Sequence, residues 1–567
     1  MTSKTPHGIQ YEGYRPVVMG RNGMVCSGHP LASQAGMQIL QKGGNAIDAA
    51  IAVGACLNVV EPMMSGIGGD GFIMVYMKDS DELRVINASG KSPMGATREM
   101  YLASGIPHKG IFSVLVPGLL AGWYEAHKRF GLLPWSQVLD PSIELAECGF
   151  PISNILSNAI SEDNLLCSFP TSKDIFTRNG TPLQPGEILY QKDLARTFRL
   201  ISEEGPETFY SGEVGSKIAT FSNEQGGILS LQDLRDHEIL WQDPISTTYR
   251  DYVVYEAPPN SSGHVLLQEL NLAETFDIKN MGFNTMESIH MMVEAKKLAF
   301  ADREAYMADP DFVDIPRDGL LSKEYARERA KQIDPERAAF NVTCGSPWKF
   351  QKGLNPPRSI KSVGTPLEDT TCFVVVDRWG NSVSQLQSLQ SAFGSSLVAR
   401  GTGILLNNRM SYWHLGKDHV DVLEPGKRVR HTMNPVMVFK KASNKGRKLV
   451  LVCGTPGADT QVQTNFQVIS HVLDFGMNVV EAVEAPRWRS LQDGTESNYP
   501  HRVPDQLLLE RRYSDDICNA LMIRGHEVKV IGDWAATGSE MMIYVDQDTG
   551  ALHGGADPRR DGYAIGW

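Results

Sequence analysis

The sequence predicts a mixed α and β protein whose sheets are covered by helices. Three observations point there. Helical periodicity dominates the first two-thirds of the chain, among a few strand-like runs. The last third is rich in strands, and a Pro-, Gly-, Ser- and Lys-rich stretch from about 340 to 369 divides the two parts. With 567 residues, 42% hydrophobic and 21% charged, the chain can also bury a large core.

The elements follow in order. "HPLASQAGMQILQKGGN" reads as a helix ended by Gly43–Gly44, with His29 as a helix-start residue. "NAIDAAIAVGACLNVVEP" is apolar on most faces and predicts a buried helix. "FIMVYMK" and "ELRVINAS" read as paired strands. Pro117 is placed to open the helix "GLLAGWYEAHKRFG". "TMESIHMMVEAKKLAFADREAYM" predicts a long amphipathic helix.

Beyond Thr370, "TCFVVVD", "RWGN" and "SVSQLQS" form a hairpin pattern. "GILLNN", "PVMVFK", "KLVLVCG" and "MMIYVD" read as further strands, and "KKASNKGRK" between two of them as a solvated hairpin tip. "TQVQTNFQVISHVLDFG" and "VVEAVEAPRW" read as helices, and no internal repeat is evident.

Composition narrows the function classes. A formal charge of −12, a pI near 5.7 and no strongly basic segment argue against nucleic-acid binding. No run approaches the roughly 20 apolar residues that span a bilayer, and the N-terminus lacks the apolar core of a signal peptide. A cytoplasmic protein without membrane partners is the expectation. The eight cysteines are scattered, with no CxxC and no HExxH, so zinc and disulfides are disfavoured and buried free thiols expected.

Several candidate sites compete. The glycine cluster "SGIGGDGF" (65–72) has a helix before it and a strand after it, the reverse of a dinucleotide loop. Tight packing with positive-φ turns is its expected role. There is no GxSxG elbow. That leaves Thr370–Thr371, at the mouth of a strand and directly after the flexible stretch. An internal threonine hydroxyl lacks a base. If the preceding bond is cut, the new α-amine, with a pKa of about 7.7–8.0, can take the hydroxyl proton.

The runs "MVCSGHPLASQAGMQILQKGGNAIDAAIAVGACLNVVEPMMSGIGGDGFIMVY", "VPGLLAGWYEAHKRFG", "DTTCFVVVDRWGNSVS", "GTGILLNNRM", "CGTPGAD" and "ADPRRDG" carry a resemblance along nearly the whole chain. By them the chain resembles the gamma-glutamyltransferase (glutathione hydrolase) family of N-terminal-nucleophile hydrolases.

The resemblance implies an α+β, four-layer αββα fold. It implies self-cleavage between Asp369 and Thr370, giving regions 1–369 and 370–567 that stay associated as one structural domain. Thr370 is then the nucleophile and Thr371 structural. Ser388 is the hydroxyl residue near the catalytic amine, and the amides of Gly457 and Ala458 form the oxyanion hole. Ala458 stands where the family has glycine, so its methyl is expected to restrict φ and crowd the pocket. No metal or organic cofactor is implied.

Departures concentrate at substrate contacts. Tyr412 stands where glutathione-cleaving members hold the α-amino group with Asp, and Arg409 replaces Gln. Ser89 replaces the Arg for the α-carboxylate, His431–Thr432 replace paired serines, and Gln390 replaces Asn. The segment 410–431 is shorter than in typical members, so a more open pocket is expected. The expected function is a self-processing amidase that acts on a carboxylate-bearing acyl group other than γ-glutamyl, glutaryl- or oxamate-like. Arg409, Arg430 and His431 are candidate donors to that carboxylate, with a structural ion pair for Arg409 and a solvent-facing Arg430 as the rival reading. A true gamma-glutamyltransferase with repositioned contacts, a non-catalytic binding relative and a carbon–carbon hydrolase stay open. So does a homodimer.

Overall fold

The computed structural model describes residues 13–353, 370–441 and 446–567, and in addition the backbone of Ser3–Lys4, Gln10–Tyr11 and Asp369. Most of the expected linker, 354–368, and the centre of the expected hairpin tip, 442–445, lie outside the described residues.

Two seven-stranded sheets form the centre. Their strands in chain order are β1 (Val18–Gly20), β2 (Gly23–Ser27), β3 (Asp70–Met77), β4 (Glu82–Ala88), β5 (Leu240–Gln242), β6 (Ile245–Tyr249), β7 (Tyr252–Glu256), β8 (Asp369–Asp377), β9 (Ser382–Gln390), β10 (Val436–Lys440), β11 (Lys448–Gly454), β12 (Met541–Val545), β13 (Leu552–Ala556) and β14 (Tyr563–Gly566). The first sheet runs β5-β4-β3-β9-β8-β2-β14 and the second β6-β7-β10-β11-β12-β13-β1. Every pairing within them is antiparallel.

Strand alternation builds the layers. On β8, Cys372, Val374 and Val376 point to one face and Phe373 and Val375 to the other. The first set joins Leu386, Met437, Val452, Met541 and Ile543 in a core between the two sheets. The second set packs on α1 (Pro30–Gln41), α2 (Ala46–Val60) and α3 (Leu119–Phe130). The far face of the second sheet is covered by α4 (Gly263–Ala273), α5 (Met286–Tyr306) and α6 (Thr460–Leu473). Helix, sheet, sheet and helix make the four layers that the resemblance implies.

Local signals explain the element ends. His29 caps α1, its Nδ1 accepting the Leu31 N–H at 3.2 Å. Asn45 and Asp48 form a reciprocal capping box at α2, all of whose residues are buried. The β8–β9 turn is tied by Asp377, whose Oδ1 accepts the N–H groups of Trp379 and Asn381, both at 2.9 Å. Lys440 pairs with Lys448, so a hairpin flanks the basic tip as expected.

Three expectations are corrected. Helix α5 is not amphipathic: His290, Glu294, Lys296, Asp302, Arg303 and Glu304 are all buried on it, and charged partners from other elements replace water around Asp302, Arg303 and Glu304. The glycine cluster packs tightly without positive φ. A Cβ on Gly69 would lie 2.1 Å from the Ser388 carbonyl oxygen, and one on Gly68 2.0 Å from that of Leu405. Of the thiols, Cys148 and Cys344 are exposed and Cys167 partly so, while the other five are buried. Among the described residues no helix is long and apolar enough to cross a membrane.

Candidate active site

The pairing of β8 with β9 is irregular at its open end. Asp369 pairs with Gln390 and Thr371 with Gln387, so Thr370 faces both Ser388 and Leu389. Bulges of this kind re-aim a side chain beside functional sites. Here the Thr370 hydroxyl donates to the Ser388 hydroxyl at 3.3 Å, and the Ser388 oxygen also accepts the Gln390 N–H at 2.7 Å. The Thr370 carbonyl accepts from Arg560 at 3.4 Å. Thr371 points to the opposite face and donates to Glu61, at the end of α2, at 2.6 Å.

Gly457 and Ala458 lie between the end of β11 and the start of α6. Cys372 of β8 packs against Gly454, the last residue of β11, so this loop leaves its sheet beside the Thr370 end of β8. Both residues have positive φ, 118° for Gly457 and 51° for Ala458. The left-handed conformation costs a non-glycine residue roughly 1–2 kcal/mol. Ala458 accepts that strain, and its turn leaves both amide N–H groups without a protein acceptor among the described residues. Asp459 anchors the turn: its carboxylate takes the Arg303 guanidinium, the Ser497 hydroxyl and the Ser497 N–H, the last two at 2.7 Å.

Two of the remaining candidates, Arg409 and His431, meet at Asp70, which was not among the expected site residues. Asp70 is the cross-strand partner of Ser388. Its Oδ1 accepts from Arg409 at 3.2 Å and its Oδ2 from His431 Nε2 at 2.8 Å, and all three side chains are fully buried. Burial alone would raise the Asp70 carboxyl, but Arg409 and His431 overcome it and hold the group below the usual carboxylate range. Burial lowers the His431 pKa; Asp70 opposes that and Arg409 adds to it. The Arg409 guanidinium lies 4.6 Å from the centre of the Tyr412 ring, whose hydroxyl is 3.2 Å from Thr432. Ser89 donates to Asn87 at 2.6 Å and accepts from Asn260 at 3.2 Å, and Asn260 gives its carbonyl to the His431 N–H. Gln390 has a φ of 93° and donates to Asn498 at 2.6 Å.

Arg409 is therefore held in an ion pair. Arg430 neither faces solvent nor stands free: it is buried against Glu304 at 2.5 Å. In the uncut chain Thr370 retains only 2% of its surface. Residues 495–501 pack against the segment 410–431. They bond to Arg303, Asp459, Gln390 and Ser411, and stack His501 on His414. A cavity of about 620 Å³ lined by Lys297, Glu304, Gln492, Thr495 and His526 includes none of Thr370, Ser388, Gly457 or Ala458.

Two clusters bring metal-ligating side chains together, Glu304–His414–His419 and His290–Glu294–His526. In the first, His414 and His419 stack with ring centres 3.4 Å apart, so their lone pairs run parallel rather than converging. The Asp421 N–H also donates to His419 Nδ1, which puts the proton on Nε2. In the second, the two imidazoles bond each other at 2.8 Å and Glu294 is held by Lys297 and the Ala339 N–H.

Asp70, Glu61, Asn498 and Arg560 were not identified from sequence. The one available signal was an acid between close-packed glycines at a strand start, Gly69–Asp70–Gly71.

Residues 32–567 match the family described as gamma-glutamyltranspeptidase. The glutathione hydrolase-like YwrD proenzyme of Bacillus subtilis is 40% identical, over 97% of this chain and 99% of its own. The acylase ACY 1 proenzyme of Pseudomonas sp. strain SE83 is 37% identical, over 96% and 94%. The crystal structure of a cephalosporin acylase from Bacillus halodurans superposes with a TM-score of 0.86 at 35% identity, covering 99% of both chains. A shared antiparallel two-sheet core and matches along nearly the full length lead to one conclusion: the chain belongs to the gamma-glutamyltranspeptidase family.

Proposed function

We propose that this family member is a self-processing amidase with Thr370 as its nucleophile, acting on a linear amide whose acyl group carries a carboxylate and is not γ-glutamyl. The observation that carries the reading is the placement of Thr370. Its hydroxyl bonds Ser388 at a strand bulge, one strand away from the Asp70–Arg409–His431 cluster. Acylases among the relatives support an acyl group other than γ-glutamyl.

Cleavage of the Asp369–Thr370 bond frees the Thr370 amine. That amine accepts the proton of its own hydroxyl as the oxygen attacks the amide carbonyl. The Gly457 and Ala458 N–H groups donate to the tetrahedral oxyanion, where each such donor is worth roughly 10²–10³ in turnover. The proton passes to the departing amine and an ester on Thr370 remains. Water, activated by the same amine, releases the acid.

The mixed strand order supports association after cleavage. In the first sheet, β8 from the second region lies between β9 and β2, and β2 belongs to the first.

Glutaryl, oxamate and γ-glutamyl anilides, offered in parallel to purified protein, test the substrate. Preferred turnover of a carboxylate-bearing acyl group without an α-amine is expected. Preferred turnover of the γ-glutamyl anilide would establish the alternative, a gamma-glutamyltransferase with rearranged contacts, which the glutathione hydrolase relatives favour.

A further inference from the structure

The cavity of about 620 Å³ that leaves out Thr370 is bounded on one side by the starts of two parallel strands, Gln506–Glu510 and Val528–Ile531. On another side it meets helix α5 and the loop 339–344. Its volume suits a small organic molecule. What it can hold follows from the groups on its walls.

One wall residue is fixed in a definite tautomer. The Asp334 carbonyl lies 2.8 Å from His290 Nε2, so that nitrogen carries the proton and donates. Neutral His290 then presents a bare Nδ1, which accepts from His526 Nε2 at 2.8 Å. The His526 proton is thereby placed on Nε2, and Nδ1 keeps its lone pair. Burial, with Lys297, His290 and Arg524 adding to it, holds His526 down at about 3, so the ring is neutral at physiological pH. His526 is 6% exposed and lines the cavity, and its Nδ1 has no hydrogen-bond partner among the described residues. Unlike both nitrogens of His264, that atom is not shut away from solvent. An acceptor open to the cavity on an otherwise buried ring calls for a donor.

Charge gives the sign of that donor. Glu304, Asp493, Asp505 and Glu527 line the cavity, against Lys297 and Arg502. Glu304 is taken by Arg430, Lys297 by Glu294, and Asp493 by Arg502 at 2.8 and 2.9 Å. Asp505 accepts the Asp493 N–H at 2.8 Å and Glu527 the Gln506 side-chain amide at 3.0 Å, and neither has an ion-pair partner among the described residues. Two negative charges are thus left uncompensated, beside a neutral acceptor. An anion would be repelled and would find no donor on His526. One metal ion cannot collect the three groups, because the ligating atoms gathered around His526 are those of His290 and Glu294, both already bonded. An elongated cation with N–H groups can reach them separately, with Phe340, Val342, Leu491 and Leu507 along its carbon chain.

We propose that this cavity binds an aliphatic diamine, one ammonium donating to His526 Nδ1 and the two positive charges balanced by Asp505 and Glu527. The site is separate from the Thr370 centre and does not depend on the amidase reading.

Cadaverine, an aliphatic diamine, is the probe. Calorimetric titration of the wild-type protein near neutral pH and at low ionic strength should show one saturable site, weakened by added salt. Asp505→Asn combined with Glu527→Gln changes two exposed side chains, and should weaken binding about fivefold and remove most of its salt dependence. His526→Phe should weaken it about tenfold, the loss of one hydrogen bond to a charged donor. Thr370→Ala should bind cadaverine as the wild type does. The double variant keeps the test alive if His526→Phe fails to fold. No saturable binding, or an affinity unchanged in the double variant or in folded His526→Phe, would overturn the proposal. Binding lost in Thr370→Ala would overturn it by placing the diamine at the nucleophile. Zinc binding that His526→Phe abolishes, with no binding of cadaverine, would overturn it in favour of a metal.

Discussion

The hydroxyl of Thr370 lies 3.3 Å from that of Ser388, at the one place where the two central strands β8 and β9 lose their regular pairing. The bulge sets two residues of β9 against Thr370, so Ser388 can meet a nucleophile that a regular ladder would present differently.

Removing either hydroxyl should separate two effects. Thr370→Ala should remain a single chain by intact mass, whereas the wild type should give fragments meeting at Asp369/Thr370. Ser388→Ala should still fold, but process and turn over about tenfold more slowly, the loss of one hydrogen bond to the nucleophile. Ser388→Thr should restore most of the rate. A wild-type protein that stays whole would contradict the proposed maturation.

The Arg409–Asp70 pair is fully buried, so breaking it leaves a lone carboxylate in the core. Arg409→Met should lower unfolding free energy by about 3–5 kcal/mol. Adding Asp70→Asn to that variant should recover part of the loss, because the orphaned charge is gone. Urea titration of the two variants would measure both values. A loss unchanged by the second substitution would mean that the charge was not the cause.

Glu304 gives a prediction in acid. Burial alone would raise its carboxyl, but Arg430, the His419 contact and Arg303 bring it down to about 2. A depressed carboxyl stabilises the fold above its unfolded pKa, near 4.5, and that contribution is lost as pH falls through the folded value. Stability should therefore drop by on the order of 3 kcal/mol between about pH 5 and pH 2 from this group. Glu304→Gln should flatten that part of the pH profile. An identical acid slope in the variant would count against it.

Strand interleaving predicts the behaviour of the cut protein. Both sheets draw strands from each side of Thr370. The two fragments should co-elute on native size exclusion and separate only in denaturant. Residues 370–567 expressed alone should not fold, since β8 would lack β2 and β9 would lack β3. Separation of the fragments under native conditions would argue against the interleaved sheets.

How far the chain was legible depended on the range of each signal. The buried helix at Ala46–Val60, the hairpin around Asp377–Ser382 and the His29 start of α1 follow from periodicity and capping chemistry within a few residues. The same local reading made Met286–Tyr306 an amphipathic helix. It could not see that Arg303 meets Asp459, or that Lys296 lies against Gln492, so it assigned buried charges to water. Nor could it see that residues 495–501 pack against 410–431 from elsewhere in the chain.

By itself, then, the sequence determined the element pattern, the threonine pair at the mouth of a buried strand and the family to which these runs are similar. Tertiary structure alone decided that Asp70 stands between Arg409 and His431, residues more than 300 positions away, and that Arg409 is already paired. The physical reason is that propensity and periodicity act over a turn of helix or a few strand residues. The charge state and hydrogen bonding of a buried group depend on whichever distant side chains the packed sheets bring against it.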